Sequence, residues 1–155
     1  MPTGRVTLLC GPPAAGTTTV ARELEVEGAI VLSYDREAWA RGVRDGQPSR
    51  ALMEAIDRGF AERMRAEVAR GAHVVVDASL ATREVRDTWR ERARAEGVES
   101  ELVVVRAPLP TLLERVEERT PGPDSVVLAR QALVDDVAGF DWPGDEETHR
   151  LVETA

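Results

Sequence analysis

Gly11-Pro-Pro-Ala-Ala-Gly16-Thr17-Thr18 stands between an apolar run and a stretch of helix-forming residues. The spacing is that of G-x-x-x-x-G-K-[ST], met at every fixed position but one. Such a loop turns its backbone N–H groups inward around a phosphate. The helix that follows aims the positive end of its dipole at the same anion. Gly11, Pro12, Pro13, Ala14, Ala15, Gly16, Thr17, Thr18 and Thr19 are therefore candidate nucleotide-binding residues. Gly16 lets backbone approach a phosphate closely, and Thr18 offers a hydroxyl to magnesium. Position 17 departs from the pattern: threonine stands where a lysine would reach the β- and γ-phosphates. Thr17 can offer one neutral hydrogen bond, roughly half as strong as a charge-assisted one. The plainer reading of the stretch is a Gly/Pro turn joining a strand to a helix.

Two carboxylates follow strand-like runs. Asp35 comes two residues after the run AIVLS. There it can accept a proton from an attacking hydroxyl, or cap the short helix that follows it. Asp77 ends the run HVVVD. An acid in that place holds magnesium directly or through water, or else simply forms a turn. Arg83 opens a helix, where a cation opposes the dipole. It is either a grip for a substrate phosphate or carboxylate, or a solvated surface charge. Tyr34, Arg36 and Trp39 surround Asp35, and Arg36 and Trp39 are candidates for stacking or pairing with a substrate. Packing is the alternative for Trp39. His73 and His149 lack ligand spacing and read as structural.

These residues need a frame, and the hydropathy pattern supplies one. Arg5–Cys10, Ala29–Ser33, His73–Asp77 and Leu102–Ala107 are short apolar runs that read as buried strands. Helices are expected over Thr17 to about Glu27, Tyr34–Arg41, Ser49–Arg70, Thr82–Glu96, Pro110–Arg119 and Ser125–Val137. Leu52, Met53, Ile56, Phe60, Met64 and Val68 form one apolar stripe on the third. Val85, Trp89 and Ala93 are the expected buried side of the fourth, with Thr82 as N-cap. Arg150–Glu153 reads as a last edge strand. Strands apolar on both faces, alternating with helices, predict a parallel sheet of four or five strands with helices on both faces. That is a three-layer α/β sandwich.

The chain has 155 residues, the size of one domain. Its 28 acids outnumber 20 basic residues, every one an arginine, giving a net charge of −8. That balance argues against duplex nucleic acid and anionic membrane as partners. No apolar run approaches the roughly 20 residues of a spanning helix, and no signal-peptide pattern is present. Cys10 is the only cysteine, so neither an internal disulfide nor a cysteine-based zinc site can form. A cytoplasmic location is expected.

The segments LLCGPPAAGTTTVARELE, VLSYDREAW, VVVDASLATREVRDTW and LLERVEERTPGPDSVVLARQ together resemble the P-loop kinase-like ATPases. These are small AAA-type proteins akin to polynucleotide kinases, chloramphenicol phosphotransferase and zeta toxins. The resemblance runs from about Arg5 to Gln131. It implies an adenylate-kinase-like sheet, binding of ATP and Mg2+, and phosphoryl transfer to a hydroxyl of a small molecule or nucleotide. It implies Asp35 as general base. It also implies a small lid near residues 115–130 whose Arg115 and Arg119 neutralise the transferring group, with Arg130 as a second candidate. Ion pairs of Arg115 and Arg119 with Glu114, Glu118 or Asp124 are the alternative. Two classes of function follow: an ATP-dependent kinase, or a nucleotide-binding regulatory protein that kept the cradle and lost the charge. A lysine-to-threonine exchange engineered at position 17 of an active kinase is a variant of the first.

Overall fold

Five runs of the chain pair side by side, and every ladder between them is parallel. The computed structural model describes residues 4–44, 48–118 and 130–155. The strands are β1 (Arg5–Cys10), β2 (Ile30–Ser33), β3 (His73–Asp77), β4 (Ser100–Arg106) and β5 (Arg150–Glu153). Their order across the sheet is β2-β3-β1-β4-β5. The expected edge strand is present, with Arg150 opposite Val103 and Glu153 opposite Arg106.

Alternation along each strand divides the apolar side chains between two cores. Val6, Leu8, Cys10, Val74, Val76, Leu102 and Val104 enter one core. Leu9, Val75, Val103 and Val105 enter the other. Two-sided burial of this kind requires helices on both faces. The first face is covered by α2 (Tyr34–Ala40), α3 (Arg50–Ala69) and α4 (Arg83–Ala95). The second is covered by α1 (Thr17–Val26), α5 (Leu109–Glu118) and α6 (Arg130–Ala138). The apolar stripe of α3 buries Ile56, Phe60, Met64 and Val68, while Leu52 packs against the core from its first turn.

The described element ends fall within one or two residues of those expected, and the expected helix start at Ser125 lies outside the described residues. Residues 119–129 lie outside the described ones, and with them Arg119, Asp124 and most of the expected lid. One side of α4 differs from expectation. Val85 is 44% exposed, and Arg86 joins Trp89 and Ala93 in the buried stripe. Arg86 can be buried because its charge meets a buried carboxylate from far along the chain, Glu147. Thr82 caps α4 as expected, its hydroxyl accepting from the Val85 N–H at 3.2 Å. Among the described residues, no helix is long and apolar enough to cross a membrane.

Two tests of this packing follow. Ile56→Ala, in the buried stripe of α3, should cost about 2–5 kcal/mol in urea unfolding, while Val26→Ala should stay within about 0.5 kcal/mol. Asp57 of α3 accepts hydrogen bonds from Arg92 and from the Tyr34 hydroxyl. The Arg92 guanidinium holds its carboxyl below the usual carboxylate range, against the opposing effect of burial. A depressed folded-state value stabilises the fold above the unfolded value, about pH 4. That stability disappears as pH falls through the folded value. Unfolding midpoints measured from pH 6 downward should therefore drop less steeply in Asp57→Asn than in wild type.

Candidate functional site

The loop 11–16 leaves β1 at the carboxyl edge of the sheet, where ligands of open parallel sheets gather. Gly11 is buried, and its N–H donates to the Ser79 carbonyl at 2.9 Å. A Cβ there would lie 2.6 Å from the Val105 carbonyl oxygen, so the position admits only glycine without a shift of β4. The Ala15 N–H donates to the Pro12 carbonyl at 3.2 Å, closing a turn. Ala14 has φ +70°, and Gly16 closes the loop at φ +115° as N-cap of α1. With no side chain on Gly16 to cap α1, the N–H groups of its first turn face the loop. An anion is their natural partner. Thr17 and Thr18 are the first two residues of that helix and are half-buried, and Thr19 is exposed.

The outer side of the loop is held. Arg115 Nη1 donates to the Ala14 carbonyl at 2.9 Å, to the Ala15 carbonyl at 3.3 Å and to Thr154 Oγ1 at 3.0 Å. The Thr154 hydroxyl donates to the same Ala15 carbonyl at 2.7 Å, and Arg115 Nη2 bonds the Ala155 carbonyl. In a planar trans peptide the C=O and the next N–H point opposite ways. Fixing the Ala15 carbonyl outward thus turns the Gly16 N–H inward. Neither expected reading of Arg115 describes this contact, which is with backbone carbonyls rather than with Glu114 or Glu118.

The two carboxylates stand at the same edge. Asp77 is the last residue of β3, opposite Leu9 of β1 on one side and Ser33 of β2 on the other. Asp35 follows Ser33 by two residues and is exposed in the first turn of α2. The cap of α2 is Ser33, not Asp35. The helix already begins at Tyr34, and the Ser33 hydroxyl accepts the Arg36 N–H at 3.2 Å. Register therefore brings the loop, Asp77 and Asp35 to one edge of three adjacent strands.

The remaining candidates are engaged with other side chains. Arg36 pairs with Glu25 of α1 at 2.9 Å. Trp39 is half-buried, with the Arg44 guanidinium 3.8 Å above its ring. Arg83 lies among Asp87, Glu147 and Glu146, at 3.3, 3.4 and 3.8 Å. Arg130 pairs with Glu117 at 2.8 Å, tying α6 to α5. Among the described residues no group of three or more His, Cys, Asp or Glu could hold a metal ion. Burial pushes the Cys10 thiol up to about 11, so it is protonated at neutral pH. Sequence reasoning missed Ser79 and Thr154, which touch the loop from far along the chain, and Arg86 with Glu147, which pair beside the turn that carries Ser79.

A family model described as "AAA domain" matches residues 6–138. No curated protein matches the sequence. Solved structures share the fold. A gluconokinase from Sinorhizobium meliloti 1021 is 19% identical with a TM-score of 0.68, over 99% of this chain and 84% of that one. Kti12 from Chaetomium thermophilum, in complex with ADP-AlF3, is 17% identical with a TM-score of 0.68, over 97% and 88%. The APS kinase CysC from Mycobacterium tuberculosis, in complex with AMPPNP and APS, is 23% identical with a TM-score of 0.60, over 76% and 71%.

The close approach of β4 to the loop is directly testable. Gly11→Ala should destabilise the protein by about 1–3 kcal/mol, the usual cost of overpacking, in urea unfolding monitored by tryptophan fluorescence. A change within error would mean that Val105 yields freely.

Proposed function

From its membership of the AAA domain family, which the match over residues 6–138 establishes, we propose that this chain binds ATP with Mg2+ and transfers a phosphoryl group. The acceptor is a hydroxyl of a small molecule or nucleotide. The observation that carries the reading is the convergence of loop 11–18, Asp77 and Asp35 on one carboxyl edge. Two neighbours in fold were solved with ADP-AlF3 and with AMPPNP and APS, which supports a nucleotide as the ligand of the loop. A cytoplasmic location belongs to the same proposal.

The residues present suit the ligands. Gly16 closes the loop at φ +115°, and the uncapped first turn of α1 offers N–H donors to phosphate. Thr18 and Asp77 are hard oxygen donors, the kind magnesium takes. The absence of a larger acidic cluster among the described residues also suits magnesium, which keeps waters and substrate phosphates as its other ligands. When bound, the ion draws charge from the phosphate oxygens.

In the reaction, the acceptor oxygen forms a bond to the γ-phosphorus as the bond to the β,γ-bridging oxygen breaks, with the pair leaving on ADP. Asp35 takes the acceptor's proton. The loop N–H groups hold the phosphates in line, and Arg115 keeps the Gly16 N–H aimed through the Ala15 carbonyl. Arg119 is the remaining candidate for the developing charge. Thr17 favours a second reading, a nucleotide-binding protein with little turnover, because the cation that normally meets that charge is missing.

Calorimetric titration with Mg·ATP, followed by turnover assays over a panel of hydroxyl acceptors, tests both readings. Saturable binding is expected. Asp35→Asn should lower turnover far more than affinity, since a base acts in the chemical step. Thr17→Lys should raise turnover by about 10²–10³, the scale of one preorganised donor. An Arg119 that already fills the lysine's role would leave Thr17→Lys without effect and make Arg119→Ala inactive. Absence of nucleotide binding in wild type would overturn the reading.

A further inference from the structure

Glu147 lies in the segment between α6 and β5, and its side chain is 2% exposed. Arg86 of α4 is fully buried and meets it bidentately, Nε to Oε1 at 3.0 Å and Nη2 to Oε2 at 2.9 Å. Arg90 Nη2 lies 2.9 Å from Oε1, and Arg83 Nε lies 3.4 Å from it. Three guanidinium groups thus surround one buried carboxylate. Burial alone would raise that carboxyl, and the hydrogen bonds of Arg86 with the charge of Arg90 hold it below its usual range.

A buried ion pair is weak support for stability, since apolar residues of similar volume often replace it at no loss. Here the pair does something an apolar couple could not. Arg86 Nη1 donates to the Leu80 carbonyl at 2.8 Å, and Cys10 Sγ reaches the same oxygen at 3.5 Å. Leu80 sits at φ +55°, a left-handed conformation that costs a non-glycine residue on the order of 1 kcal/mol and persists only where its surroundings enforce it. The preceding carbonyl, Ser79, is the one that accepts the Gly11 N–H. On the other side, the Ala81 carbonyl accepts the Asp141 N–H at 2.8 Å. Residues 79–81 therefore present consecutive carbonyls to the phosphate loop, to the buried arginine and to the 141–147 segment.

We propose that Arg86 and Glu147 are positioning residues of the candidate site. Their pair fixes the turn after Asp77 and, through Ser79 and Cys10, the point where the phosphate loop leaves β1. The proposal deepens the nucleotide-binding reading and rests on it for its effect on affinity, but not for its effect on the turn.

The single cysteine makes the turn observable, because Cys10 is buried beneath Leu80. The double variant Arg86→Met with Glu147→Met removes both charges together and keeps apolar volume. The Leu80 carbonyl and Arg90 each lose a partner, so it should melt a few degrees lower yet stay folded at the labelling temperature. Its Cys10 should nevertheless react with a maleimide about tenfold faster, and its Mg·ATP affinity should fall about tenfold, the scale of losing one charge-assisted hydrogen bond. Arg86→Lys keeps the ion pair but cannot serve Glu147 and the Leu80 carbonyl at once, and is read the same way if the double variant does not fold. A role confined to stability would lower the melting temperature and leave the labelling of the folded protein unchanged. A folded variant with wild-type labelling overturns the proposal. Wild type that fails to bind Mg·ATP overturns the nucleotide reading instead, and faster labelling in the variant still supports the positioning role.

Discussion

A loop that turns its N–H groups toward an anion turns carbonyl oxygens the other way, and each buried carbonyl needs a donor. Much of the site's construction follows from that constraint. The Ala14 and Ala15 carbonyls are met by Arg115 and Thr154, which arrive from α5 and from the end of β5. The Gly11 N–H runs against the pattern and donates outward to Ser79, at the turn after β3. The cradle is thus held from both flanks of β1. Removing α5 or the turn after β3 would leave loop carbonyls or a loop donor without partners, even though neither carries a residue of the G-x-x-x-x-G pattern.

The parallel sheet makes those flanks available. With β1 in the middle of the order β2-β3-β1-β4-β5, its carboxyl end is bordered by the ends of β3 and β4. Asp77 stands at the loop's edge of the sheet because it terminates β3, and Asp35 because β2 ends beside β3 at Ser33. In an antiparallel sheet the same residues would alternate between opposite edges. The two cores fix this register. A slip of one residue along β1 would move Leu8 and Cys10 from one core to the other and carry Gly11 away from Ser79.

Local chemistry made the frame legible. The runs RVTLLC and HVVVD and the stripe of α3 are strong periodic signals, and the expected strands β1 and β3 match those found. The site's support was not legible, for a physical reason. Apolar patterning places Val85 inside and gives no reason to bury a charged residue such as Arg86. The assignment reverses because a carboxylate 61 residues away neutralises Arg86. Arg115 reads from local spacing as a partner of nearby acids, whereas its observed acceptor lies 101 residues away. Sequence separation of that length leaves no periodic trace. The cap of α2 shows a smaller version of the same effect. Asp35 and Ser33 are both good cap residues, and only the helix start at Tyr34 decides between them.

The use of arginine throughout suits this arrangement. A lysine ammonium is a compact point charge, while guanidinium is a planar fork able to serve a carboxylate and a carbonyl at once. Arg86 does this, with Nε and Nη2 on Glu147 and Nη1 on Leu80. Arg115 divides its two Nη groups between the loop carbonyls and the Ala155 carbonyl. Both cations stabilise the backbone next to the cradle and bring positive charge toward the proposed anion site in a chain of net charge −8. Thr17 stands where a cation would enter the cradle, so the proposed binding would rest on backbone dipoles, which work only while their orientation is fixed. A loop that lacks the lysine therefore depends more heavily on the rigidity that Arg115 and Arg86 supply than a loop that has it.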